Sequence, residues 1–278
     1  MLGGIKLKIE TDRYKLYHGD CLEVMKNISD KSIDMILCDM PYGMTSRNKW
    51  DIIIPFDKLW NQYTRIIKDN SAIVLFGKQP FTSMMIMSNP KIYKYNMIWR
   101  KNLKSGHLNT KRIPMGAYED IMVFYKKQPI YNPQKIPRTY QKPSKKSYYT
   151  ESTNYGRQRG DYIDNQSNWL YPDDVIDYED GVNLDALDLE NEMLYIKCVH
   201  NSSGKLHPTQ KPVELLEWLI KTYTDENMTI LDNCMGSGST GVACLNTNRK
   251  FIGIEIDENY FNIAKERLEN VKLSYKGC

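Results

Sequence analysis

The sequence predicts an α/β fold whose mainly parallel sheet is covered by helices on both faces. Three observations lead there. Apolar runs of strand length alternate with amphipathic stretches through the first hundred residues. The same alternation returns after Pro212. Within that second stretch, a short apolar strand enters a glycine-rich turn that opens a helix, and the next strand ends in an acid. Strands buried on both faces read as continuous apolar runs, and helices make the crossovers between them.

Taken in order, Asp34 to Cys38 reads as a buried strand, after a first strand near Tyr17. Phe56 to Ile67 places Leu59, Trp60, Tyr63, Ile66 and Ile67 at helical spacing. Ser71 to Phe76 is a buried strand closed by Gly77, and Gln79 to Met87 is a helix. Asn96 to Trp99 and Asp120 to Tyr125 are two further strands. Pro212 to Tyr223 is a helix with proline at its first turn. A strand over Thr229 to Leu231, a helix over Ser239 to Asn246, a strand over Phe251 to Ile256 and a helix over Glu258 to Val271 complete the pattern.

The composition excludes several classes. With 41% hydrophobic and 26% charged residues, the 278-residue chain reads as an ordinary globular protein. No window approaches the roughly 20 apolar residues of a membrane span, and the N-terminus lacks the apolar core of a signal peptide. None of the six cysteines forms a C-x-x-C pair and only four histidines are present, so no metal site is expected. Reduced, buried thiols fit a cytoplasmic location.

The middle of the chain breaks the alternation. From Lys126 to Arg159 nine Lys or Arg accompany one acid, Glu151, with five interleaved tyrosines. From Asp161 to Glu192 eleven Asp or Glu occur with no Lys or Arg. Residues 127–205 therefore read as an insertion between a segment over 1–126 and one over 206–278.

The glycine turn, Thr229 to Gly241, contains Gly236, Gly238 and Gly241 in G-x-G-x-x-G spacing. In a strand–turn–helix context, with Glu255 at the end of the next strand, this pattern points to an adenosine-containing cofactor. Glu255 is placed to accept ribose hydroxyls. Asp232, at the strand end, would repel a pyrophosphate but suits an ammonium. The room after Gly241 holds one helix, one strand and one helix. The remaining strands are therefore expected from the N-terminal half, in a circularly displaced order.

Asp39-Met40-Pro41-Tyr42 resembles the D-P-P-Y catalytic motif of amino-methyltransferases. Asp232-Asn-Cys-Met-Gly-Ser-Gly-Ser-Thr240 resembles their cofactor motif, and His207-Pro-Thr-Gln-Lys-Pro212 a third hallmark. In this order the motifs resemble the beta class of DNA amino-methyltransferases, over about 1–127 and 205–270. The resemblance implies a Rossmann-like methyltransferase fold with a seven-stranded, mostly parallel sheet and circularly permuted motifs. It also implies a target-recognition region over 127–205, S-adenosyl-L-methionine as cofactor, DNA as partner and a homodimer. These residues give no reading of a partner restriction nuclease.

The resemblance also assigns roles. The exocyclic amine of adenine is a poor nucleophile because its lone pair is delocalised into the ring. Asp39 would accept one amine hydrogen and the Met40 carbonyl the other, aiming the lone pair at a methyl donor. Tyr42 would stack on the flipped base and Pro41 would stiffen the corner. Met40 stands where the family has proline, which keeps the carbonyl but not the fixed φ. The candidate cofactor contacts are Asp20, Cys21, Asp39, His207, Thr209, Lys211, Asp232, Cys234, Gly236, Ser237, Gly238, Ser239, Thr240, Glu255 and Ile256. Asp20 also reads as a helix cap; His18 reads as structural, and His207 as ordering its loop.

Two basic groups suit phosphates. One is Arg100, Lys101, Lys104, Lys111 and Arg112, expected in a loop after the strand ending near Trp99. The other is Lys135, Arg138, Lys142, Lys145 and Lys146 in the insertion. Asp39 favours adenine-N6 over cytosine-N4 as the target, as a tendency of the family. An RNA amino-methyltransferase, a nicotinamide-dependent oxidoreductase and an inactive DNA-binding module are the alternatives.

Overall fold

A computed structural model describes residues 5–43, 51–137, 151–152, 156–157, 169–172, 174–176 and 210–271. The N-terminal half supplies β1 (Ile5–Glu10), β2 (Tyr14–Gly19), α1 (Cys21–Met25), β3 (Ile33–Cys38), α2 (Phe56–Ile66), β4 (Ile67–Gly77) and α3 (Phe81–Ser88). A long hairpin follows, of β5 (Tyr93–Ser105) and β6 (Gly116–Phe124). Five two-residue strands lie beyond it: β7 (Ile136–Pro137), β8 (Glu151–Ser152), β9 (Gly156–Arg157), β10 (Trp169–Leu170) and β11 (Val175–Ile176). The chain then forms α4 (Val213–Tyr223), β12 (Thr229–Asp232), α5 (Ser239–Asn246), β13 (Lys250–Glu255) and α6 (Glu258–Glu269).

The main sheet has the order β1-β2-β13-β12-β3-β4-β6-β5-β11. β2, β13, β12, β3 and β4 run parallel. β6 is antiparallel to both its neighbours, and β1 is antiparallel to β2. The α/β class holds, but the sheet has nine strands among the described residues where seven were expected. The additions are edge strands: β1 extends the β2 edge, and the two-residue β11 lies parallel on β5. As the motif order implies, β12 and β13 insert between β2 and β3, so the two ends of the chain build one sheet.

Alternation along the strands assigns the layers. Met35, Leu37, Val74, Phe76, Ile121 and Val123 face a core shared with α4, α5 and α6. Ile36, Cys38, Ile73, Leu75, Met122 and Phe124 face a second core shared with α1, α2 and α3. Each of these side chains thus packs into a core that helices share, as a sheet buried on both faces requires.

The β5–β6 pair departs from the expected loop. Its ladder runs from Tyr93 opposite Phe124 to Ser105 opposite Gly116. Arg100, Lys101 and Lys104 therefore lie on a strand, and the turn with Lys111 and Arg112 comes later. Polar side chains past Trp99 obscured the strand, because cross-strand pairing continues whether or not a face is apolar.

Candidate active site

Gly19, Glu255, Asp232, Cys38 and Gly77 end the five parallel strands at one edge of the sheet. The helix after β12, α5, joins one core, and the helix after β3, α2, joins the other. Neighbouring parallel strands whose helices part in this way open a crevice at their carboxyl ends, where α/β proteins bind ligands. A cavity of about 430 Å³ lies there.

One end of the cavity is formed by the glycine turn. Gly236 adopts φ 50° and its N–H donates to Glu255 Oε2 at 2.8 Å. Glu255 Oε1 accepts from Ile256 and Asp257, each at 2.9 Å. A carboxylate offers about four acceptor positions, so three are used by backbone and one remains. Asp232 is buried; its carboxylate accepts from the Cys234 N–H at 3.1 Å and the Thr240 hydroxyl at 2.7 Å. Burial pushes Asp232 up to about 6, against the pull of those hydrogen bonds. Burial likewise raises Glu255. Asp20 caps α1, accepting from Leu22 at 2.9 Å and Glu23 at 3.1 Å through one oxygen, and also lines the cavity. Three carboxylates on one wall suit a ligand carrying positive charge and hydroxyls, and they oppose a pyrophosphate.

The other end is the corner after β3. Met40 is buried in the core beneath α2, 3.7 Å from the Tyr63 hydroxyl. That hydroxyl donates to Asn233 Oδ1 at 2.5 Å, tying α2 to the glycine turn. A flexible apolar side chain thus anchors the corner where a proline ring would have stiffened it. Asp39 projects into the cavity. Its Oδ1 accepts from the Tyr42 hydroxyl at 2.5 Å, and its Oδ2 lies 2.5 Å from Lys211 Nζ. Tyr42 also packs on Phe81, with ring centroids 5.0 Å apart.

Lys211 joins a buried charge network. Its ammonium lies over the Phe76 ring, 4.9 Å from the centroid, and 3.1 Å from Glu119 Oε2. Glu119 Oε1 accepts from Lys101 at 2.7 Å. Burial raises Asp39 above the usual carboxylate range, although Lys211 opposes it. Burial would raise Glu119 too, but Lys211 and Lys101 together take it down to about 2. Lys211 is held above the usual lysine value because Asp39 and Glu119 outweigh burial. The arrangement therefore interleaves two lysines with two acidic side chains, in the order Lys101, Glu119, Lys211, Asp39.

Residues 33–266 match the N6/N4-methyltransferase family, described as DNA methylase. The chain belongs to that family. It is 27% identical to the type II methyltransferase M2.LlaDCHI of Lactococcus lactis subsp. cremoris, over 93% of this chain and 90% of the relative. It is 26% identical to the type II methyltransferase M2.MboI of Moraxella bovis, over 96% and 92%. Among solved structures, the M1.HpyAVI–SAM complex superposes with a TM-score of 0.58 at 25% identity, covering 92% of this chain and 98% of that one. The cytosine-N4-specific PvuII DNA methyltransferase shares the fold, with a TM-score of 0.64 at 15% identity over 96% and 92%.

In this DNA methylase Asp20, Cys21, Asp39 to Tyr42, Lys211, Asp232, Cys234, Gly236, Ser237, Ser239, Thr240, Glu255 and Ile256 all line the one cavity. Gly238 does not. At φ 78° it starts α5, and a Cβ there would lie 2.9 Å from that of Ala264, so its glycine is needed for packing against α6. His18 is structural, with Nε2 3.1 Å from the Ile256 carbonyl and its ring stacked on Phe261. Lys101 is placed against Glu119 with its side chain 13% exposed, turned away from the solvent a phosphate contact requires. Lys104, Lys111, Arg112 and Arg100 are exposed along the hairpin. Lys135 is exposed with its ammonium 4.9 Å from the Tyr171 ring centroid. His207, Thr209, Arg138, Lys142, Lys145 and Lys146 lie outside the described residues. Among the described residues no helix is long and apolar enough to cross a membrane, and no cluster of three His, Cys, Asp or Glu is arranged for a metal.

Sequence reasoning missed Glu119, Asn233 and Tyr63. Glu119 could have been noticed as one of two acids, with Asp120, that precede the apolar run Ile121 to Phe124. The hydroxyl of Tyr63 gives no signal within a helical stripe.

Proposed function

We propose that this chain transfers a methyl group from S-adenosyl-L-methionine to N6 of an adenine flipped out of DNA. The carrying observation is the position of Asp39: a half-buried carboxylate on the wall of the cavity that Asp20, Asp232 and Glu255 also line. The donor supplies an electrophilic methyl on a sulfonium. The residues present fit it, because Asp232 suits its ammonium and Glu255 keeps an acceptor position for a ribose hydroxyl. Asp39 accepts a hydrogen of the base's amino group and the Met40 carbonyl accepts the second, so the lone pair is localised toward the donor. The exposed cations of the hairpin, together with Lys135, hold phosphates and set the register of the duplex. The type II relatives support DNA as the polymer.

The test is methyl transfer from labelled donor into mixed-sequence DNA, followed by nucleoside analysis. N6-methyladenine is the expected product. N4-methylcytosine would keep the mechanism and overturn the base, and transfer into RNA alone would overturn the substrate.

Cofactor binding is expected to depend on pH through Asp232. A carboxyl raised from 3.8 to about 6 holds a proton in the folded protein between those values. An ammonium ligand must displace that proton below pH 6. Affinity for S-adenosylhomocysteine, read by titration calorimetry, should weaken by up to about tenfold per pH unit below pH 6 and level off above about 7. Asp232→Asn should flatten the profile. A wild-type profile already flat from pH 5 to 8 would remove Asp232 from the ammonium site.

A further inference from the structure

Asp39 keeps acceptor positions for the incoming amine, yet each of its oxygens already holds a donor, and the one on Oδ2 is a full cation. Tyr42 holds Oδ1, and the Lys211 ammonium lies against Oδ2. The hydroxyl can rotate, but an ammonium that yields Oδ2 to the amine needs another partner: with its side chain 7% exposed, it cannot turn to water. A buried cation left unpaired is costly.

Glu119 supplies the destination. Its Oε2 and Asn96 Oδ1 are the two buried side-chain polar atoms without a hydrogen-bond partner among the described residues. Oε2 already lies 3.1 Å from Lys211 Nζ, within ion-pair range but off the angle of a hydrogen bond. Oε1 is fixed by Lys101 from the neighbouring strand, so the carboxylate cannot swing away. The oxygen without a hydrogen bond therefore faces the cation held against the catalytic carboxylate. A buried acceptor of this kind requires an explanation.

We propose that Glu119 is a positioning residue for the reaction: it receives the Lys211 ammonium when the amino group of the target base takes Asp39 Oδ2. Lys211 pivots between two carboxylates that are both within reach, and no charge leaves the buried network. Lys101 serves by holding Glu119 in place, which accounts for a lysine turned inward on an otherwise basic and exposed hairpin. The inference rests on the reading of Asp39 as the amine acceptor, and the experiment separates the two.

Glu119→Gln keeps the shape and removes the charge that draws Lys211 away. The kcat for methyl transfer should fall by about 100-fold, the scale of a misplaced reacting group. The Kd for S-adenosylhomocysteine and the KM for DNA should stay within about twofold. Adding Glu119→Gln to Lys211→Met should cost nothing further, because no ammonium remains to be moved. Glu119→Asp should recover part of the lost kcat. If Glu119→Gln destabilises the chain by stranding Lys101, the pair Glu119→Gln and Lys101→Met removes both charges and carries the same expectation. Wild-type kcat in these variants, or full multiplication of the Glu119 and Lys211 effects, would overturn the inference. If instead Asp39→Ala retains transfer, it is the Asp39 reading that falls.

Discussion

Asp39→Ala is expected to lower kcat for methyl transfer by about 10³-fold, the upper range for deleting one hydrogen-bonding group of the transition state. The Kd for S-adenosylhomocysteine is expected to stay within about threefold. The asymmetry follows from the layout of the cavity. Asp39 ends the β3 corner, whereas the carboxylates suited to the cofactor stand on the glycine turn, on β13 and at the start of α1. The backbone of the corner is held from below by Met40 against Tyr63, so removing the Asp39 side chain leaves the turn in place. Lys211 keeps Glu119 as a counter-charge. Rapid-quench transfer and calorimetry on one preparation separate the two effects. Parallel loss of transfer and binding would mean that Asp39 supports the cofactor site instead of the amine.

The regular elements were legible because their apolar spacing is dictated by burial on both sides. β3, with Met35 and Leu37 against one helical layer and Ile36 and Cys38 against the other, has nowhere to place a polar residue. Its sequence therefore announces a central strand. α5 was legible to its bounds, since Gly238 fixes its start and Asn246 its end. β1 was not, because at a sheet edge half its residues are charged and the alternation is short. The outer half of the β5–β6 hairpin escaped for the same reason. Its order comes from a ladder with a strand many residues away, which local polarity does not report.

The site divides along a similar line. Asp39, Asp232 and Glu255 were legible because each stands at or just past the end of a strand, at a recognisable turn. What they do to one another was not. Lys211 meets Asp39 across 172 residues of sequence, and Tyr63 meets Asn233 across 170. Such contacts exist only once β12 has inserted beside β3. Lys101 shows the hazard of reading charge alone. It belongs to a basic cluster and yet points inward, because on a strand successive side chains take opposite faces and its face meets Glu119.

Lys211→Met is expected to destabilise the protein by about 3–5 kcal/mol at neutral pH, the range for breaking a buried ion pair from one side. For a chain of this size that corresponds to a fall in Tm on the order of 10 °C. The methionine fills the space over Phe76, so the loss reports charge more than volume. Glu119 retains Lys101, but Asp39 would keep only the Tyr42 hydroxyl. The pH dependence identifies the cause. Asp39 is already raised by burial, and removing the cation that opposes burial raises it further. A carboxyl raised above its unfolded value contributes stability below that value and loses it as pH rises through the folded one. The deficit of the variant should therefore be largest at neutral and alkaline pH and shrink as Asp39 takes up a proton in acid. Urea unfolding of both proteins between pH 5 and pH 8 measures this directly. A deficit constant across that range would mean that packing, and not an uncompensated carboxylate, explains the cost, and the network of Lys101, Glu119, Lys211 and Asp39 would lose its electrostatic meaning.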